Sequence, residues 1–369
     1  SIIGTFLPTF VTIPSVGTSI TFLIFAGILM LLSIIYFASG KTKSIKAVVG
    51  VIVMIISFIF GKSDSFAFWE SDLTYEGESV YNYLQVKEDD KEVYLSTNVL
   101  FGVQSVYVKD GSLTGMYYDY AMAAPLMAGV QEKDNLDILI LGMGTGTYAT
   151  QCSKYFDNLT IEGVEIDEDI IDLSHEYFHL SEDIPVTAYD GRAFLNAVDK
   201  TYDVIMVDAY QDITIPFQMS SVEFFTLVKD HLKSDGVMVV NMNMRGQKEG
   251  SITDYLSDTI GSVFSEVYTV EVPRSTNREL FASNNENMLK AFAENASKTD
   301  NEALRELMEK VSTNLIPWEK GELIMTDDKA PVELLGMRVI DDIIFDEVSY
   351  YKGIYEEEGI EGLMQGIGI

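Results

Sequence analysis

One cysteine, three histidines and, through residues 1–62, no aspartate or glutamate at all define what this 369-residue chain does without. Cys152 alone can close no internal disulfide and can build no cysteine metal cluster. Three histidines are too few for a histidine-rich centre, so no resident metal site is expected. The missing acids also divide the chain. Residues 1–62 carry four lysines, so the other 21 basic residues share the remainder with all 57 acidic ones. So acidic a soluble part repels nucleic-acid phosphates, which excludes DNA or RNA as the expected partner. Its sign suits polyamines or metal ions, although a merely solubilising surface has the same sign. The length exceeds one ordinary domain, and no internal repeat is visible.

Charge is likewise absent from residues 19–38 (SITFLIFAGILMLLSIIYFA). A run of that length crosses about 30 Å of hydrocarbon and reads as a transmembrane helix. Residues 1–17 are also uncharged and start without a basic n-region or a small-residue cleavage site. They read as the end of an earlier membrane helix rather than a signal peptide, with more membrane sequence expected upstream. Residues 45–60 form a shorter apolar run that spans if tilted, lies at the interface, or packs as a buried helix. The lysines between these runs, Lys41, Lys43 and Lys46, mark a cytoplasmic loop. If 45–60 spans, the large domain faces outward, against a cytosolic nucleoside substrate, so its side stays open. The expectation is an integral protein of the cell (plasma) membrane, in contact with lipid. Residues 61–72 are a polar linker whose Phe66, Phe68 and Trp69 suit an interface.

The organising stretch is 137–167, DILILGMGTGTYATQCSKYFDNLTIEGVEID. A short apolar run stops at Gly142-Met143-Gly144-Thr145-Gly146, a helical pattern follows, and a second strand ends in Glu165-Ile166-Asp167. Glycines there let the backbone approach a ligand and leave the helix N-terminus free, while an acid at the next strand tip can accept ribose hydroxyls. The motif points to a nucleoside. The alternative is a tight strand-to-helix turn with a solvated acid.

Around it the pattern is regular. Residues 73–108 alternate in short runs and read as a small antiparallel sheet, and 117–130 as one apolar helix. After 167 come a helix at 168–178, a strand at 185–189 ending in Asp190-Gly191, a helix at 192–198, and a strand at 202–207 ending in Asp208. A helix at 220–232 and a strand at 237–241 continue the series, and 251–264 is another helix. Runs at 267–272 and 279–283 read as a closing hairpin, 285–312 as two surface helices, 323–335 as turn-rich, and the tail from 352 as an amphipathic or frayed helix. Strands alternating with helices make a doubly wound parallel sheet with its ligands at the carboxyl ends of the strands.

Several stretches together resemble the polyamine aminopropyltransferases, typified by spermidine synthase. They are the glycine turn, VEID at 164–167, YDGRAFL at 189–195, YDVIMVDAY at 202–210, and LKSDGVMVVN at 232–241. With GVQSVYVKDGSLTGMYYDYAMAAPL, MTDDKAPVE and the apolar N-terminus, the chain is similar to the branch in which this domain is fused to membrane helices. The resemblance implies a Rossmann-like, doubly wound, seven-stranded sheet of the class I methyltransferase type, an α/β fold preceded by the small antiparallel β domain. The expected divisions are 1–62 for the membrane helices, 63–117 for the linker and small sheet, 118–283 for the catalytic domain, and 284–369 for a helical, acidic extension. A homodimer is implied as well.

Carried over by resemblance, Glu165 binds the ribose, with Ile166 and Asp167 beside it, and Asp190 and Gly191 meet the adenine. Gly142, Gly144, Thr145 and Gly146 form the turn, and Gln104 lies by the nucleoside. Tyr118, Asp208 and Tyr210 are the catalytic candidates, Asp208 orienting or deprotonating the attacking amine. Four departures stand out, one of them the family's Tyr-His-Glu stretch, which reads Tyr118-Asp119-Tyr120 here. Thr145 occupies the place of an aspartate that holds the amine of decarboxylated S-adenosylmethionine, and Gln211 replaces a second gate aspartate, with Asp212 one residue later. The later Pro-Thr-Tyr segment reads Pro273-Arg274-Ser275. The implied substrate is therefore S-adenosylmethionine or its decarboxylated form, with methylthioadenosine as product. The carbon chain goes to an amine such as a polyamine, or closes on itself as a lactone. Rival readings are a sensor or transporter-linked domain that binds these molecules without turnover, and a methyltransferase.

Overall fold

In the computed structural model the acid-free segment and the alternating segment fold in different ways. The structure describes residues 2–39, 45–60, 67, 70, 72–97, 102–209, 215–243 and 249–367. Two compact units result, residues 1–106 and 107–369.

The first unit begins with helix α1 (Ile2–Leu7), which runs through a π-helical turn at Pro8–Thr12 into α2 (Ile13–Ser39). Gly17 breaks that run with φ 76°, and the helix restarts at Thr18. Glu78 caps the restart, accepting from the Thr18 N–H at 2.8 Å and from the Thr18 hydroxyl. An anion there meets the positive end of the helix dipole. Helix α3 (Ile45–Phe60) packs on α2. Among the described residues one stretch, Gly4–Phe37, is long and apolar enough to cross a membrane, while α3 is shorter. Strands β1 (Leu73–Glu78), β2 (Tyr83–Glu88), β3 (Glu92–Ser96) and β4 (Ser105–Val108) make the four-stranded sheet in chain order, with antiparallel β1–β2 and β2–β3 pairs. The basic loop residues Lys41 and Lys43 and the linker aromatics Phe66, Phe68 and Trp69 lie outside the described residues.

In the second unit the helix expected at 117–130 is two short ones, α4 (Tyr117–Ala121) and α5 (Ala123–Met127). Pro125 supplies the reason, since it has no N–H for the Ala121 carbonyl and its ring crowds that oxygen. The freed Ala121 carbonyl accepts from the Tyr148 hydroxyl at 3.3 Å instead. Then follow β5 (Leu136–Leu141), α6 (Thr147–Tyr155), β6 (Leu159–Glu165), α7 (Glu168–Glu176), β7 (Val186–Ala188), α8 (Gly191–Ala197), β8 (Tyr202–Val207), α9 (Val222–Asp230) and β9 (Leu232–Asn243). Next come α10 (Ile252–Val263), the hairpin β10 (Glu266–Glu271) and β11 (Asn277–Ser283), α11 (Met288–Ser297), α12 (Glu302–Asn314), β12 (Ile316–Pro317) and α13 (Val332–Ile367). The sheet order is β12-β10-β11-β9-β8-β5-β6-β7, parallel from β9 to β7 and antiparallel elsewhere. The doubly wound sheet is thus present, with a two-residue eighth strand, β12, at its edge. Strand β9 starts five residues before the apolar run that signalled it, because Leu232 pairs with Tyr202 before a register shift brings Val237 beside Val204.

All six residues of β8 are buried, as a central parallel strand requires. Its one acid, Asp203, accepts from Lys133 Nζ at 2.6 Å, Lys233 Nζ at 2.7 Å and the Asp137 N–H at 2.8 Å. Burial pushes this carboxyl up, but the two lysines and the amide outweigh it and hold it below the usual carboxylate range. Asp203→Ala removes the carboxylate that two lysines and the Asp137 N–H share at the foot of the sheet, leaving Lys133 with Asp235 and Lys233 with Asp137, and is expected to lower unfolding free energy by about 2 kcal/mol at pH 7, read by chemical denaturation. Because the folded pKa is depressed, that stabilisation is complete above the unfolded value of about 4 and fades as the pH falls below it.

Candidate active site

The carboxyl ends of five neighbouring strands, β7, β6, β5, β8 and β9, place Asp190, Glu165, the glycine turn, Asp208 and Asn241 side by side. The chain leaves β5 toward β6 on one side and returns in β8 on the other, so the crevice opens at this switch in strand order.

Gly142, Gly144 and Gly146 all have positive φ, at 86°, 54° and 81°. At Gly142 the reason is contact, because a side chain there would run into the backbone of Asp208 and Ala209. Thr145 sits between these turns, 1% exposed, and its hydroxyl finds no partner among the described residues. A buried hydroxyl left unsatisfied in a ligand-facing turn fits a group that arrives with the ligand.

Glu165 is 8% exposed. Its Oε2 accepts from the Gly144 N–H at 2.8 Å, and its Oε1 accepts from Ile166 N–H at 2.9 Å and Asp167 N–H at 3.1 Å. Burial pushes this carboxyl up and the three amides pull against it, leaving it above the usual range. By lone-pair count Oε2 has room for one further donor, while Oε1 is full until an amide lets go. Asp167 caps α7 through the Asp169 N–H at 3.2 Å, so its carboxylate already has a structural task, and Ile166 is exposed. Asp190 caps α8 through the Ala193 N–H at 2.8 Å. Gly191 opens that helix with ordinary φ and room for a methyl group, so the backbone makes no demand for glycine there.

Asp208 follows the last residue of β8. It accepts from the Tyr117 hydroxyl at 2.6 Å and from Asn241 Nδ2 at 2.9 Å, and Asn277 Nδ2 donates to Asn241 Oδ1 at 2.8 Å. Burial raises the Asp208 carboxyl to about 7, with the two hydrogen bonds holding it down and the nearby Glu165 charge adding to the rise. A carboxylate poised near neutrality suits a proton acceptor.

The tyrosine that reaches Asp208 is Tyr117, not Tyr118. Both are buried with rings 3.9 Å apart, and the Tyr118 side chain hydrogen-bonds that of Tyr117. Sequence reasoning missed Tyr117 because adjacent helical residues point about 100° apart, and nothing in YYDY says which one faces the strand end. It missed Asn241 too, although a polar residue closing the apolar run of β9 was a usable signal. Gln104 belongs to the first unit, half-buried just before β4, its N–H donating to the Leu95 carbonyl at 2.8 Å. Tyr210, Gln211 and Asp212 lie outside the described residues. Among the described residues no three His, Cys, Asp or Glu side chains gather as a metal-ligand set.

One residue from each of two motif pieces serves a structural pairing. Arg192 grips Asp327 with both guanidinium arms, at 2.7 and 2.6 Å, and Ser221 donates to the same carboxylate at 2.5 Å. This clamp fastens the MTDDK turn to α8 and α9.

Comparison with known proteins gives the family and the fold. Residues 117–293 match the family described as the spermine/spermidine synthase domain. A probable polyamine aminopropyl transferase of Bifidobacterium longum is 51% identical over 352 residues, which cover 90% of this chain and 78% of that relative. A polyamine aminopropyltransferase of Vibrio vulnificus is 25% identical over 309 residues, 77% of this chain and 98% of that one. Among solved structures, spermidine synthase from Thermotoga maritima superposes with a TM-score of 0.51 at 18% identity, covering 66% of this chain and 88% of that one, a likeness of fold.

Difference infrared spectroscopy of wild type against Asp208→Asn isolates this carboxyl. Its carboxylate band is expected to grow with rising pH with a midpoint of about 7. Tyr117→Phe removes a hydrogen bond to the ionised form and is expected to raise that midpoint by about one pH unit.

Proposed function

The chain belongs to the spermine/spermidine synthase family and is a transferase of the polyamine aminopropyltransferase type. From that premise we propose that it is a membrane-anchored enzyme that opens the sulfonium of S-adenosylmethionine or its decarboxylated form and releases methylthioadenosine. The observation that carries this reading is the row formed by Glu165, the glycine turn and Asp208, with Asp208 raised to about 7.

The reaction follows from charge. An amine nitrogen attacks the carbon next to the sulfonium, that carbon–sulfur bond breaks, and its electron pair leaves with a neutral thioether. The attacking nitrogen must shed one proton. Asp208 can accept it because each of its oxygens keeps a second lone pair beyond the bonds to Tyr117 and Asn241. Before transfer the same carboxylate holds the ammonium and faces the sulfonium charge. Glu165 and the turn at Gly142–Gly146 hold the nucleoside, with Asp190 at the adenine end.

Thr145 bears on which sulfonium enters. A carboxylate there would repel the carboxylate of intact S-adenosylmethionine by on the order of a few kcal/mol at about 4 Å in a partly buried site. A neutral hydroxyl with no internal partner lifts that barrier and can donate to the same group. Intact S-adenosylmethionine is thus a second substrate, and its own carboxylate can attack the chain carbon, closing homoserine lactone with the same leaving thioether. Proximity favours such ring closure and needs no external base.

Anchoring rests on the first unit. The apolar side chains of α2 and α3 stand exposed, among them Phe22, Leu29 and Ile45, which suits lipid and not water.

Purified full-length chain incubated with each sulfonium, with and without 1,4-diaminobutane, is expected to yield methylthioadenosine by mass spectrometry. S-adenosylhomocysteine instead would make it a methyltransferase, and ligand binding without any product a sensor. The rate is expected to rise with pH through about 7 as Asp208 ionises, a limb that Asp208→Asn abolishes. Thr145→Asp is expected to cut turnover of intact S-adenosylmethionine tenfold or more relative to the decarboxylated form.

A further inference from the structure

Away from the catalytic row, one hollow carries charge of the sign this chain otherwise lacks. A cavity of about 720 Å³ lies between the β10–β11 turn and α12, and among the described residues its wall holds Arg274, Arg278 and Lys310 against a single acid, Glu271. The chain has 25 basic residues to 57 acidic ones, so three cations around one hollow run against its composition. Glu271 is already committed. It faces Arg278 across the hairpin and accepts from that guanidinium at 2.8 Å, an exposed pair that leaves most of the arginine's N–H donors unused. Arg274 and Lys310 have no side-chain partner among the described residues. Cations placed in this way repel an alkyl ammonium, so the hollow is no seat for a polyamine.

The turn that carries Arg274 is held in a costly shape. The Ser275 N–H donates to the Val272 carbonyl at 3.3 Å, which closes a four-residue turn with Pro273 in its second place and Arg274 in its third, at φ 63°. A third place with positive φ is where a type II turn takes glycine or asparagine, because a larger side chain strains the backbone there. Glycine would relieve that strain, yet the chain holds an arginine. Strain kept at one residue points to a task for its side chain. The turn is also rigid. The Val272 N–H donates to the Asn277 carbonyl at 3.0 Å, the Asn277 N–H donates to Ser275 Oγ at 3.0 Å, and Asn277 Nδ2 ties the hairpin to Asn241 on β9 at 2.8 Å. Arg274 therefore stands on a fixed rim.

We propose that this cavity binds a phosphorylated small molecule, with Arg274, Arg278 and Lys310 receiving the phosphate. A guanidinium matches two phosphate oxygens at once, and the lysine adds a point charge from a second element. The volume is of the class that takes a whole small ligand rather than a bare ion, and Tyr120 and Ile316 give the organic part an apolar wall. The site goes beyond the transfer reaction and uses none of its residues.

Calorimetry on the full-length chain tests it, with ribose 5-phosphate, inorganic phosphate and ribose as probes. None of them carries an amine or an adenine, so the outcome does not depend on the proposed function. Ribose 5-phosphate is expected to bind more tightly than inorganic phosphate, and ribose not at all, with both phosphates weakening as salt is raised. Arg274→Gly removes the charge and suits the turn, so it is expected to weaken ribose 5-phosphate at least tenfold without lowering the melting temperature. Lys310→Gln is expected to weaken it in the same sense, and Glu271→Gln, which frees Arg278, to tighten it about threefold. No binding of either phosphate, equal affinity for the two, or unchanged affinity in both Arg274→Gly and Lys310→Gln overturns the proposal. Should one of those two variants misfold by circular dichroism, the other decides, since the two residues lie on different elements.

Discussion

Where β5 ends, the chain passes itself at the closest distance backbones allow. A Cβ at Gly142 would lie 2.6 Å from the Asp208 carbonyl oxygen and 2.7 Å from the Ala209 nitrogen. The Asp208 N–H donates to the Leu141 carbonyl at 2.8 Å, and the Gly142 N–H donates to the Val164 carbonyl at 2.9 Å. The glycine turn is therefore stitched on one side to the strand that ends in Asp208 and on the other to the strand that ends in Glu165. Only glycine combines that approach with φ of 86°. Without it, β5 and β8 could not end level, and the acids that flank the turn would lose their common reference.

Level strand ends bring charges together, and charge is then what the site must manage. Burial raises both acids most, and neighbouring charge acts in the same sense, Glu165 on Asp208 and Asp167 on Glu165. The protein answers them differently. Three backbone amides serve Glu165, which suits a fixed acceptor, whereas one hydroxyl and one amide serve Asp208 and leave it near neutrality, which suits a group that takes up and returns a proton. The distinction comes from what each strand end meets. Glu165 turns back onto its own chain and the glycine turn, while Asp208 meets side chains from α4 and β9, which are distant in sequence.

That same distinction sets how much could be read from the sequence. The strand, glycine turn, helix and answering acid lie within one continuous stretch of 31 residues, and so did their meaning. The parallel order followed from alternation, and Asp190, Glu165 and Asp208 fell at strand ends as the pattern required. Partners brought in by antiparallel pairing did not show. Asn241 and Glu279 become neighbours only through the β9–β11 register, which no local period encodes. Pro125 did carry a signal for the break between α4 and α5, and the uninterrupted apolar character of that stretch hid it. Arg192 and Asp327 show the same limit: they lie in separate motif pieces, and only the fold brings them together as a clamp between a helix and a distant turn. Composition gave the division between acid-free and acid-rich parts. It was silent on Gly17, where the helical run breaks and Glu78 takes over the free end.

The charge balance also limits what the site can hold when empty. Several ionised carboxylates packed at one sheet edge and screened from water would repel one another strongly, since a low-dielectric surround weakens no interaction. Here the row carries less fixed charge than its residues suggest. Burial raises the Asp208 carboxyl to about 7 and pushes the Glu279 carboxyl well above the usual range, and Thr145 has no charge to give. On the reading proposed above, negative charge develops only as cationic ligands arrive to compensate it. A site built in this way folds without the repulsion that fixed charges would impose, and it discriminates by charge as well as shape.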